Sequence, residues 1–418
     1  MARFSVRFLG CKVSQADAIL IRDRLLDAGH VEVAPEQAEV RVINTCALTV
    51  EAERKSRQQA NRAARAAART FVTGCAVNLN AAQFDADGVV AVGRSAERAA
   101  AEIVAALGPA VPMGCQHEAR PNGRTRAFLK VQNGCDSACS FCIIPTTRGR
   151  AESRAVAAVL SDARRRLAEG HPELVLTGIN IGTYRDERSG ADLADLIRAV
   201  AALEGEGLVR LRVSSIEPGD VGGRLLEAMA ESAVAAPHLH VPLQSGDPGV
   251  LSSMRRSYTV ERYLAACAAA REALSGLNLT TDAIVGFPGE DEAAFQRTLA
   301  AVAEAGMSKV HVFPYSPRPG TAAAGLADPV GADERRERAR RLRDLSDRLG
   351  DVHRRGRVGT ADAVLLETRL DDGELVGLGA DYTRFVVSCG AGAPGEMVPV
   401  VAEAVAGDYL RGRPSGHG

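Results

Sequence analysis

The stretch Phe128-Leu-Lys-Val-Gln-Asn-Gly-Cys135-Asp-Ser-Ala-Cys139-Ser-Phe141-Cys142 runs an apolar strand pattern straight into a CxxxCxxC triplet. From about residue 126 to 330, strand and helix patterns alternate. The strands fall at Phe128–Gln132, Leu174–Leu176, Val209–Val213, His238–Leu243, Thr281–Val285 and Val310–Pro314. Six βα units in about 200 residues fit a partial or complete parallel barrel, whose ligands sit at the carboxyl ends of the strands. The triplet lies at such an end. Structural zinc usually takes four ligands, whereas three thiolates on a four-iron cubane leave one iron open to a substrate or cofactor. The local set stops at three.

Working outward, residues 1–108 also alternate short apolar runs with helical patterns, which predicts a mostly parallel α/β unit. Phe4–Leu9, Val40–Asn44 and Phe71–Thr73 read as strands; Gln15–Asp27, Val50–Ala68 and Ser95–Leu107 read as helices. Each strand leads into a cysteine, at Gly10-Cys11, Thr45-Cys46 and Gly74-Cys75, with spacings of 35 and 29 residues. A lone cysteine is most often a buried small hydrophobe. Three at equivalent strand ends of a parallel sheet are delivered to one rim.

Residues 109–125 are rich in Pro, Gly and polar groups and read as a linker. Arg335–Arg355 is a long charged helical pattern closing the barrel unit. Short β runs then follow at Ala363–Thr368, Leu375–Leu378, Phe385–Val387 and Met397–Val405, as expected for a small five-stranded barrel. The end from Arg413 onward reads as a frayed tail. The expected domains are 1–108, 121–351 and 352–413. Cys115, Cys267 and Cys389 fit no ligand pattern, and Cys267 reads as core.

Composition narrows the class. The 418 residues are 46% hydrophobic and 25% charged, which excludes disorder and a disulfide miniprotein. A net charge of -1 excludes a uniformly basic nucleic-acid coat, while local basic stripes stay open. No apolar run approaches a membrane span and the start lacks a signal core, so a cytoplasmic location is expected. Nine cysteines in a reducing compartment point to metal or chemistry before disulfides. Only four of the 51 basic residues are lysine: Lys12, Lys55, Lys130 and Lys309.

The triplet on the first strand of a partial (βα)6 barrel resembles the radical S-adenosylmethionine (SAM) enzymes. In those enzymes the open iron holds the amino and carboxylate groups of SAM, and reduction yields a 5′-deoxyadenosyl radical. The upstream cysteines, the segment Arg126-Ala-Phe-Leu-Lys-Val-Gln-Asn-Gly-Cys135 and the carboxyl-terminal barrel resemble the methylthiotransferases within that superfamily. Their pattern covers nearly the whole chain. It comprises an amino-terminal cluster domain, a radical SAM core and a TRAM domain. The resemblance implies that Cys135, Cys139 and Cys142 hold the radical-generating [4Fe-4S] cluster. It implies that Cys11, Cys46 and Cys75 hold an auxiliary one. The implied reaction replaces an unactivated C–H by C–S–CH3 with two SAM molecules, a step for which acid–base groups would not suffice.

Further positions are similar to the family's SAM pocket: Phe141 near the adenine, Gly178 and Asn180 after the second strand, Glu217 after the third and Gln244 after the fourth. Ile284 and Gly286 belong to the strand that would line the adenine. Capping or turn roles are open for any of these. Among the three branches, Phe8-Leu-Gly-Cys11-Lys-Val-Ser-Gln15, His238-Leu-His-Val-Pro-Leu-Gln-Ser-Gly246 and His311-Val-Phe-Pro-Tyr-Ser-Pro-Arg318 are most similar to the one acting on N6-threonylcarbamoyladenosine at position 37 of tRNA. Lys12 is the first residue to point to. Ser14, where that branch usually has asparagine, and Pro145-Thr-Thr-Arg-Gly-Arg150, which lacks an aromatic after the proline, depart from the pattern.

The implied partners are tRNA at its anticodon loop and an electron-donating protein, with no membrane and no DNA. Arg54, Lys55, Arg57, Arg62, Arg65 and Arg69 supply positive charge after Cys46, the last three of the arginines on one helical face. Residues 358–418 carry four arginines against nine acidic residues, so a tRNA contact there would use a patch such as Arg369, Arg384, Arg411 and Arg413. Rival readings are the same chemistry on isopentenyladenosine of tRNA or on a ribosomal protein, and a non-catalytic iron–sulfur or zinc RNA-binding module.

Overall fold

The computed structural model describes residues 1–110, 125–327 and 330–415, so most of the expected linker and Cys115 lie outside the described residues. The first unit is a parallel sheet of β1 (Arg3–Phe8), β2 (Val31–Glu32), β3 (Val40–Thr45), β4 (Arg69–Gly74) and β5 (Val89–Ala91), in the order β2-β1-β3-β4-β5. Its helices are α1 (Lys12–Asp27), α2 (Val50–Ala64), α3 (Cys75–Leu79) and α4 (Ala96–Leu107). Phe4, Ile21, Leu25, Val42, Phe71 and Ile103 form the core that α1 and α4 share with the sheet. Register sets Phe8 opposite Asn44 and Thr45 opposite Gly74, so three strands end level and their cysteines emerge at one rim.

One expected helix is too long. α2 stops at Ala64, capped at Arg65, and Arg69 begins β4 instead, paired with Val40. The β-branched Thr70 and Val72 gain ladder bonds and burial there, and that tertiary gain overrides the helical propensity of the preceding alanines.

The second unit is built from β6 (Arg126–Lys130), a short hairpin of β7 (Gln132–Asn133) and β8 (Glu152–Ser153), β9 (Glu173–Thr177), β10 (Arg210–Val213), β11 (His238–His240), β12 (Asn278–Val285) and β13 (Lys309–Pro314). Two three-stranded parallel sheets, β10-β9-β6 and β11-β12-β13, are joined by parallel bridges between Leu211 and Ala235 and between Ser215 and His240. The six long strands therefore curve in chain order around an incomplete barrel. β11 ends at His240, short of the expected Leu243, since Pro242 has no N–H for a ladder. The helices are α5 (Ile144–Arg148), α6 (Val156–Ala168), α7 (Leu193–Ala201), α8 (Gly223–Ala230), α9 (Pro248–Ser253), α10 (Val260–Ala273), α11 (Glu292–Glu304) and α12 (Ala332–Arg357). Cys267 on α10 is core, as expected. α12 runs unbroken through residue 351 into the last unit.

That unit closes as β14 (Ala361–Arg369), β15 (Leu375–Leu378), β16 (Arg384–Val387), β17 (Met397–Ala406) and β18 (Tyr409–Pro414), in the order β14-β15-β16-β18-β17. The expected tail is in part strand: Arg413 pairs with Val401 and Pro414 with Val400. Closing the barrel satisfies edges that a frayed end would leave open.

A buried carboxylate seats this barrel on the larger one. Glu173 on β9 is fully buried and accepts from Arg212 Nε at 2.6 Å and Arg210 Nη1 at 3.1 Å. Arg212 donates onward to the carbonyls of Gly379 and Ala380, both at 2.7 Å, and Arg210 donates to those of Leu378 and Ala363. Glu173→Ala leaves two desolvated guanidiniums uncompensated, so a loss of about 3–5 kcal/mol is expected. A urea titration of the variant should show the lowered midpoint; an unchanged midpoint would contradict this role.

Candidate active site

Glycine geometry brings the first three cysteines together. Gly10 has φ of +111°, and a Cβ there would lie 2.9 Å from both Cβ and Sγ of Cys46. Only glycine allows Cys11, the N-cap of α1, to approach so closely. Ser56 Oγ accepts from the Cys46 N–H at 3.0 Å, and Cys75 opens α3. Burial pushes the Cys46 thiol up to about 11, and the proximity of Cys75 and Cys11 adds to this. Burial likewise pushes the Cys75 thiol up.

The second triad sits on a pinned loop. Gly134 has φ of +67°, and a Cβ there would overlap the Arg150 carbonyl. Cys135 N–H donates to Gly149 O at 3.1 Å, and Ser140 bonds the Met254 and Ser253 carbonyls at 3.0 and 2.7 Å. Burial pushes the Cys142 thiol up to about 11 and the Cys139 thiol up. Burial thus favours the protonated thiol at Cys46, Cys75, Cys139 and Cys142, and a metal bound by these sulfurs has to displace their protons.

Each triad has a guanidinium on one sulfur. Arg256 Nη1 donates to Cys139 Sγ at 2.9 Å and is also paired with Glu217. Arg148 Nε donates to Cys75 Sγ at 3.1 Å, while its Nη1 donates to Asp17 Oδ2 and Asn133 Oδ1, both at 2.9 Å. Asn133 lies two residues before Cys135. One side chain from the larger barrel therefore touches the amino-terminal triad and the loop carrying the other triad. Lys130 Nζ reaches the same Asp17 at 2.6 Å and locks α1 onto β6.

Two of the expected SAM-pocket residues connect to the second triad: Glu217 pairs with Arg256, which donates to Cys139, and Phe141 directly precedes Cys142. Phe141 packs edge-on to Phe287, with ring centroids 6.4 Å apart, beside Ile284. Gln244 adopts φ of +63° and bridges β12: its N–H donates to the Asp282 carbonyl, and its own carbonyl accepts from Ile284 N–H, both at 2.9 Å. Asn180 and Ser214 end the β9 and β10 segments, and Asn180 Oδ1 and Ser214 Oγ are buried without a hydrogen-bond partner among the described residues. Buried polar atoms demand partners, so this rim suits a polar ligand. Gly178 and Gly286 have packing reasons of their own. A Cβ at Gly178 would meet Ile181 and the Gln132 carbonyl, and Gly286 turns with φ of +71° while its N–H donates to Glu290 at 2.8 Å.

Arg148, Arg256 and Asp17 were not legible as site residues, because their roles depend on which elements dock. A second signal is backbone strain: the non-glycine residues of positive φ among the described residues are Gln244, Arg255 and Tyr382. Arg255 directly precedes Arg256, which donates to Cys139, and the Tyr382 ring lies 4.0 Å from the Arg212 guanidinium. Such outliers collect at functional sites.

The expected basic surfaces are mostly spoken for. Arg54 and Lys55 pair with Glu51, and Arg57 with Glu53. Arg69 lies on β4 and not on the helical face of Arg62 and Arg65. In the small barrel, Arg411 pairs with Glu374 and Arg413 with Glu403. Arg369 bonds carbonyls, and Arg384 stacks on Tyr409.

Family models match at residues 129–302, described as the radical SAM superfamily, and at 3–92, described as uncharacterized protein family UPF0004. A threonylcarbamoyladenosine tRNA methylthiotransferase, MtaB, of Bacillus subtilis is 36% identical over 84% of this chain and 81% of its own length. The chain belongs to the radical SAM methylthiotransferase family. The Thermotoga maritima protein of the same name is 30% identical over 92% of this chain and 91% of its own. A tRNA-2-methylthio-N(6)-dimethylallyladenosine synthase of Geobacter sulfurreducens is 32% identical over 90% of this chain and 92% of its own. The fold is also similar to the radical SAM methyltransferase TsrM from Kitasatospora setae, with a TM-score of 0.56 at 16% identity over 78% of this chain and 77% of that one. As a radical SAM methylthiotransferase, the protein is an enzyme that uses SAM and a [4Fe-4S] cluster. No helix among the described residues is long and apolar enough to cross a membrane.

Proposed function

We propose that this methylthiotransferase converts N6-threonylcarbamoyladenosine at position 37 of tRNA to its 2-methylthio derivative. It would use two SAM molecules and two [4Fe-4S] clusters, and act in the cytoplasm with an electron-donating protein. The observation that carries the two-cluster reading is the pair of cysteine triads, each with three thiols, linked through the Arg148 guanidinium. Cys135, Cys139 and Cys142 would hold one cluster and Cys11, Cys46 and Cys75 the other; SAM bound at the first supplies a hydrogen-abstracting radical.

The chain's own residues hold the reaction in place. Arg256 places positive charge at Cys139, and Arg148 does so at Cys75, which favours thiolate at each position. Phe141 and Ile284 offer an apolar wall for an adenine ring, while Asn180 and Ser214 offer unpaired oxygens to a cationic amino group. Gln244 and Glu217 complete the polar rim. An aromatic C–H has no acidic proton, so proton transfer alone cannot activate it. The target base has to leave the stack of its loop to enter.

For the substrate, the support is the similarity over most of the chain to relatives named for threonylcarbamoyladenosine. Mass spectrometry of tRNA nucleosides from cells lacking this protein tests it. The methylthio group should vanish from the threonylcarbamoyl nucleoside alone; loss from the isopentenyl nucleoside instead would overturn the assignment.

A further inference from the structure

We propose that Lys12, with His311, reads the carboxylate on the side group of the target nucleoside. This rests on the threonylcarbamoyl reading of the substrate and adds the residues that enforce it.

A cavity of about 400 Å³ lies between the three units, lined among others by Lys12, His240, Thr280, His311, Tyr382 and Arg384. It continues the inner face of β12, where Thr280, Asp282 and Ile284 alternate with Thr281 and Ala283. Thr280, the β12 lining residue nearest to Ile284, is four residues from it, so the cavity begins roughly 13 Å along the strand from the Ile284 wall. Lys12 directly follows Cys11, which ties this cavity to the amino-terminal triad by a single peptide bond.

The charges in the cavity are unbalanced. Lys55 pairs with Glu51 at 3.5 Å, Lys130 with Asp17 at 2.6 Å and Lys309 with Asp347 at 3.2 Å. Among the described residues, Lys12 has no carboxylate at ion-pair distance; its ammonium lies 5.5 Å from the Tyr382 ring centroid. Of the nearby acids, Asp408 lies 4.0 Å from Arg354 and Asp282 is occupied by His240 Nε2 at 3.1 Å, while His240 Nδ1 bonds Thr280 Oγ1 at 2.9 Å. The His311 ring stands 5.5 Å from that of His240 and adds a further ring nitrogen to the wall.

Lys12 is exposed in the cavity wall and has no carboxylate partner among the described residues, so its ammonium is open to an anionic ligand. A threonylcarbamoyl group brings a carboxylate, which accepts charge-assisted bonds from an ammonium and from an imidazole N–H. A dimethylallyl group brings only hydrocarbon and offers Lys12 no such partner.

The test measures binding of the reconstituted full chain to an anticodon stem-loop carrying threonylcarbamoyladenosine, against the same stem-loop with the carboxylate capped as its methyl ester. Both carry identical phosphates, so backbone contacts cancel. Wild type should bind the acid about tenfold more tightly or better. Lys12→Met should bring the ratio near one, and Lys12→Arg should restore much of it. A wild-type ratio near one overturns the proposal without any variant. So does a Lys12→Met protein that keeps the full ratio or weakens both ligands equally. If wild type shows no ratio yet still methylthiolates the threonylcarbamoyl stem-loop, the role of Lys12 fails and the substrate reading stands. If wild type modifies only an isopentenyl stem-loop, the substrate reading fails and takes this proposal with it.

Discussion

Replacing Cys135, Cys139 and Cys142 together by alanine is expected to abolish SAM cleavage to 5′-deoxyadenosine. Iron should fall from about eight to about four per chain after anaerobic reconstitution. The loop that carries these cysteines is held by Ser140 to α9, by the Cys135 N–H to Gly149 and by Gly134 against Arg150. None of those bonds uses a thiol, so the variant should fold and retain the other triad. Iron content and product analysis on the same sample read both halves of the prediction. Residual 5′-deoxyadenosine formation would place the radical chemistry elsewhere.

The complementary change, Cys11, Cys46 and Cys75 to alanine, should leave SAM cleavage in place while the methylthio product disappears. Arg148 would lose its sulfur acceptor and keep its bonds to Asp17 and Asn133, so the loop before Cys135 stays anchored. Measuring deoxyadenosine and methylthio nucleoside in one reaction separates the two roles. Loss of cleavage in a normally folded variant would show that the triads are not independent. A purely structural metal module, in contrast, would give no SAM cleavage in any form.

Much of this architecture was legible because the decisive signals are local. Strand patterns ending in Gly10-Cys11, Thr45-Cys46 and Gly74-Cys75 already place three thiols at one rim, and the structure adds only the level register of β1, β3 and β4. Errors arose where long-range pairing overrode local preference. The alanine-rich run before Arg69 reads as helix until β3 recruits Arg69 and Thr70, and the tail from Arg413 reads as coil until β17 pairs with it. Arg148 and Arg256 could not be singled out from sequence. Each acts on a sulfur more than 70 residues away in the chain, and a sequence that holds 51 basic residues offers many equal candidates. Gly178 and Gly286 show the converse, since positions similar to a cofactor pocket have steric work of their own.

The Glu173 clamp has a mechanical consequence. Arg210 and Arg212 grip peptide carbonyls of the small barrel, and Tyr382 from the same loop is stacked by Arg212. Such a module behaves as a fixed wall and not a hinged arm. In the proposed reaction, adjustment on docking would then fall to the polynucleotide, whose target base has to leave its stack.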